Sequence, residues 1–156
     1  MNKTNKHKII VEVIWWIFTF ILAIIVLLPI YISVPLFPFY YQNILLIICF
    51  VTFTRYIFLL PTTLIARKKW IKVFIVAVSA ILFFVLTTAL GDFRNFLDEE
   101  GLQTLVGHLH VQEQSRMMHY MKSEMVFFGV GSILSGIVLP FRMIISLWRV
   151  RNRGTV

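Results

Sequence analysis

Four long apolar stretches, separated by short polar ones, cover residues 9–32, 44–65, 71–90 and 125–148. A helix needs about 20 predominantly apolar residues to cross a hydrocarbon core roughly 30 Å thick. The second stretch alone is roughly 33 Å long at about 1.5 Å of rise per residue. The pattern predicts an all-α polytopic membrane protein, a single domain over residues 1–156. Its four antiparallel transmembrane helices run up-down-up-down and cross at about +20°, as most membrane bundles do.

The segments between the stretches refine this plan. Pro35 and Pro38 exclude a helix from the first connection, where Tyr31, Phe37, Phe39, Tyr40 and Tyr41 form an aromatic collar suited to the headgroup level. Arg67, Lys68, Lys69 and Lys72 form a basic turn short enough to make the second and third spans neighbours. Residues 91–123 are the one sizeable polar segment. Asp92 is the expected N-cap of an amphipathic helix presenting Phe93, Phe96 and Leu97 and ending at Gly101. Leu102, Leu105, Val106 and Leu109 recur at helical spacing and predict a second short amphipathic helix. From about Gln112 one helix is expected to run on into the fourth span.

Composition agrees with this reading. Hydrophobic residues make up 59% of the chain and charged ones 14%, whereas soluble domains carry about 45–50% and about 25%. The net charge of +8 does not point to nucleic acid, because the Lys and Arg residues flank the apolar spans. They gather at the amino terminus (Lys3, Lys6, Lys8), in the basic turn and at Arg149, Arg151 and Arg153. Lys/Arg-rich flanks stay in the cytoplasm. Both termini are therefore expected there, in a bacterial-type inner membrane, with residues 91–123 outside. That distribution explains the basic face, with anionic lipid as a further candidate ligand for it. The first apolar run exceeds a signal-peptide core and lacks a small-residue cleavage site after it, so it reads as an uncleaved helix. The single cysteine, Cys49, reads as a small buried apolar side chain.

The charges inside the spans are the candidate chemistry. Arg55 sits at the middle of the second stretch, where a cation is costly unless it faces protein or water. Thr52, Thr62 and the Ile57 carbonyl, freed by Pro61, are its expected partners. Glu12 lies in the first span, about 10 Å lower than Arg55 in projection. It shares a stripe with Trp16, Thr19 and Ala23. Arg142 matches Glu12 in depth, and these two are expected to pair. Gly131 with Ser135 and Ser132 with Gly136 are small-xxx-small pairs that let helices approach closely.

His108, His110 and His119 are weak candidates for a metal site, since their spacing does not put them on one helical face. No sequence motif for a metalloprotease, a phosphate-binding loop or a nucleophile elbow occurs, and no cofactor is called for. Three functions remain as expectations: a structural or accessory subunit of a membrane complex, an oligomeric transporter or channel using Arg55, and an envelope-facing enzyme with a metal site in residues 91–123. The expected partners are the lipid bilayer and either another membrane protein or further copies of this chain.

Overall fold

A computed structural model describes residues 3–152, with side chains from Lys6 to Asn152 except Arg67. Arg153 and the side chains of Lys3 and Arg67, counted above with the basic segments, lie outside the described residues. The described chain is all-helical: α1 (Lys3–Ser33), α2 (Tyr40–Phe58), α3 (Lys69–Glu99), α4 (Gln103–Val106) and α5 (Val111–Asn152). α1, α2, α3 and α5 are each long and apolar enough to cross a membrane.

The second span is displaced from its expected position. α2 starts at Tyr40 and stops at Phe58, followed by two 3-10 turns, Leu60–Thr62 and Leu64–Arg67. Pro61 causes the stop, since it has no N–H and its ring excludes the carbonyl four residues back. Arg55 consequently lies in the last turn of α2 rather than at mid-span. The connection to α3 is also longer than the basic turn expected from sequence. It lets α5 lie between its neighbours: α5 packs extensively against both α2 and α3, which touch each other little.

α3 runs through Gly91 and Asp92 to Glu99, so the expected N-cap at Asp92 is not formed. Phe93 is buried, and the apolar face expected of a separate helix extends the core beyond the span. Gly101 then breaks the chain direction at φ 75°, a conformation that costs glycine little. α4 is a single turn held by buried Leu102 and Val106. α5 continues through Pro140 without leaving the helix.

Small residues set the approach of α5. A Cβ on Gly131 would fall 2.7 Å from the Phe50 ring, and one on Gly129 would fall 2.6 Å from Leu90 Cδ1. Gly136 faces Phe53 and Leu86. Ser132 and Ser135 are buried and turn their hydroxyls back onto α5, at Gly129 O and Gly131 O respectively. Met121, Met125 and Met143 are fully enclosed, flexible fillers of the irregular space around these small residues. The connection before α2 also enters the core. Phe37 and Phe39 are buried, and Phe39 meets the rings of Phe93 and Phe96 edge-on at 5.4 and 5.2 Å. Of the expected collar, Tyr31 and Tyr41 remain exposed.

Two ends of the molecule can be distinguished by their contacts. At the basic end, Lys8 reaches the 3-10 turns and Lys72 reaches α5. At the loop end, His108 Nε2 lies 2.8 Å from Ser33 O and the Tyr120 hydroxyl donates to Val26 O at 2.8 Å. α1 is the most loosely held long helix. Thr19, Ala23 and Ile30 are buried, while most of its other apolar side chains face outward.

Candidate functional site

Two of the interior polar places are built on α2. Toward the basic end, Arg55 is buried and its Nη2 forms an ion pair with Glu12 Oε2 of α1. Trp15, one turn along α1 from Glu12, places its ring 5.4 Å from the guanidinium carbon, and the Tyr56 ring lies at 5.7 Å. Aromatic faces attract a cation within about 6 Å of their centroids. The cation of the pair thus lies near two aromatic rings. Glu12 Oε1 also accepts the Leu64 N–H at 3.4 Å, joining α1 to the second 3-10 turn. Arg55 Nε is buried with no hydrogen-bond partner.

The expected pairing of Glu12 with Arg142 is therefore overturned. Arg142 Nε instead donates to Ile57 O at 2.9 Å. This is the carbonyl that Pro61 frees, here serving the arginine of α5 and not Arg55. The reason is the early end of α2, which lowers Arg55 to the level of Glu12. Thr62 does not help Arg55 either, since its hydroxyl donates to Leu59 O at 2.8 Å. Thr52 is half-buried. The inward stripe of α1 includes Trp15, whereas Trp16 points outward.

Toward the loop end, Asn43 of α2 and Glu124 of α5 are both buried, and Asn43 Nδ2 donates to Glu124 Oε1. Asn43 Oδ1 and Glu124 Oε2 have no partner among the described residues. Sequence reasoning missed this pair. Its faint signal was a carboxylate just before an apolar span and an amide just before another. Leu46, Ile47 and Val51 fill the buried face of α2 between the two polar places. Lys72 was missed as well. It is fully buried, and its Nζ donates to Ala66 O at 2.6 Å and Ser146 Oγ at 2.9 Å.

The structure does not bring the three histidines together. His108 bonds at Ser33 O, His110 precedes α5, and His119 lines a groove between α3 and α5. Among the described residues, no group of three or more His, Cys, Asp or Glu side chains is placed to hold a metal ion.

Between the loop-end halves of α1 and α2 lies an apolar cleft of about 700 Å³, lined by Phe20, Ile24, Leu28, Tyr31, Tyr41 and Ile48 among others. The described chain is thus an all-helical protein with four helices long and apolar enough to cross a membrane, whose interior charges join its own helices. Comparison with protein-family models, curated proteins and solved structures finds no match.

Proposed function

We propose that the protein is a multi-pass membrane protein acting as a structural or accessory subunit of a membrane complex. Its four helices cross the bilayer up-down-up-down, with both termini in the cytoplasm and residues 91–123 outside, in a bacterial-type inner membrane. The carrying observation is the open cleft between α1 and α2. In lipid, helices associate through close packing rather than apolar burial. α1 is tied to the rest by the Glu12–Arg55 pair and a few polar bonds, while its loop-end half leaves a space suited to side chains of another helix. Neither Arg55 nor the small residues of α5 calls for a partner. Arg55 finds its acid within the chain, and the small residues of α5 pack against α2 and α3.

The reading is tested by placing a photo-crosslinking residue at Ile24 and, separately, at Ile48 in cells. One defined protein adduct, lost when the crosslinker is moved to the outward face at Val73, is expected. Adducts with lipid alone overturn the proposal. A second reading, an oligomeric transporter or channel, is favoured by the unpartnered oxygens of Asn43 and Glu124. It is opposed by the apolar side chains separating them from Arg55. Adducts only between copies of this chain would move the weight to that reading.

A further inference from the structure

The basic end contains a pocket of about 440 Å³ between α1, the 3-10 turns and α5. Lys8, Arg142, Ser146 and Arg149 supply its polar lining, with Pro61 and Ala66 on the connecting segment. Two helices far apart in sequence, α1 and α5, thus bring cations to one cavity, which the connecting segment closes. A topology signal requires only that Lys and Arg lie near the span ends; it does not require this convergence.

The hydrogen bonds orient these groups. Lys8 Nζ donates to Pro61 O at 3.0 Å and Thr63 O at 3.4 Å, which holds the ammonium at the pocket wall. Arg142 is held through Nε at Ile57 O, leaving its terminal amino groups to face a ligand. Buried Lys72 donates to Ser146 Oγ, and a hydroxyl that accepts from an ammonium has its own proton to offer elsewhere. The pocket wall is therefore a set of donors.

No carboxylate offsets them. Of the seven acidic residues in the chain, Asp92, Asp98, Glu99, Glu100, Glu113 and Glu124 belong to the loop-end half of the molecule. The seventh, Glu12, is occupied by Arg55 and the Leu64 N–H. Arginine and lysine side chains with a hydroxyl between them match the oxygens of a phosphate group, and bonds between ionised partners are roughly twice as strong as neutral ones.

We propose that this pocket is a binding site for a phosphate-bearing anion, held by Lys8, Arg142 and Arg149 with Ser146 as a neutral donor. The phosphate is carried either by an acidic phospholipid headgroup or by a soluble phosphate compound. The chemistry is the same, and the site sits where the first and last helices meet the connecting turns.

The test uses the full-length protein in zwitterionic phosphatidylcholine nanodiscs. One arm titrates inorganic pyrophosphate, and the other adds short-chain phosphatidylglycerol; both read affinity by thermophoresis. Binding in either arm, weakened by about tenfold in Arg149→Gln and in Lys8→Gln, supports the site, since tenfold is what losing one charge-assisted contact amounts to. Binding confined to the lipid arm assigns the headgroup, and binding confined to the other assigns a soluble ligand. Arg149 is exposed and makes no bond in the core, so its variant tests the site without disturbing the fold. Arg151→Gln is the control, because Arg151 lines a different groove beside Trp70. Equal weakening in Arg151→Gln would reduce the attraction to diffuse surface charge and overturn the proposal. So would the absence of binding in both arms.

Discussion

Arg55 in the last turn of α2 meets Glu12 of α1 as an interior ion pair, and Trp15 covers the guanidinium from the α1 side. This contact helps fix where α1 lies, together with a narrow buried stripe and the bonds of Lys8, Val26 and Ser33. Removing one partner of a buried pair strands the other, at a cost of about 3–5 kcal/mol. Arg55→Leu and Glu12→Gln are each expected to destabilise by that order, with the double variant costing clearly less than their sum. Unfolding in mixed detergent micelles checks it. The cycle between Glu12 and Arg142 is expected to be additive, since Arg142 bonds to Ile57 O instead.

Asn43→Leu removes the amide facing Glu124 and leaves a buried carboxyl without its donor. A loss of about 1–3 kcal/mol is expected, the usual cost of an unsatisfied buried polar group. Combining it with Glu124→Leu, which removes the polar demand altogether, is expected to recover most of that loss in the same assay. A double variant no better than Asn43→Leu would mean the pair carries a role beyond mutual satisfaction.

Gly131 and Gly91 make a contrasting pair. Gly131→Ala would press its methyl into the ring of Phe50, itself braced by Phe127 and Phe128. Overpacking of this kind costs about 1–3 kcal/mol. Gly91 lies inside α3 with open space where a Cβ would stand. Gly91→Ala is expected to stabilise by about 0.5–1 kcal/mol through helix propensity. Thermal shifts of opposite sign in the two variants check the packing of α5 against α2.

The proposed orientation has its own measurement. With Cys49 replaced, Thr104→Cys is expected to react with an impermeant thiol reagent added to intact cells, because Thr104 is exposed in α4. Lys69→Cys is expected to react only after permeabilisation. The reverse pattern would invert the topology inferred from the basic flanks.

The apolar stretches by themselves determined the helical class and the number of helices long enough to cross a bilayer, because span length and transfer cost are properties of a segment read alone. The glycine stop at Gly101 was legible for the same reason, since its backbone preference is local. Partnerships were not legible. Arg55 lies in the last turn of its helix and not at the middle of the apolar stretch, because Pro61 ends α2 before that stretch is finished. The Glu12–Arg55 contact, the seat of Arg142 at Ile57 O and the Asn43–Glu124 pair each join residues more than forty positions apart. Helical periodicity gives the face of a residue but not the rotation or height of the neighbouring helix. For α5 those were decided by how closely it could approach α2 and α3 at its glycines, a property of the assembled core.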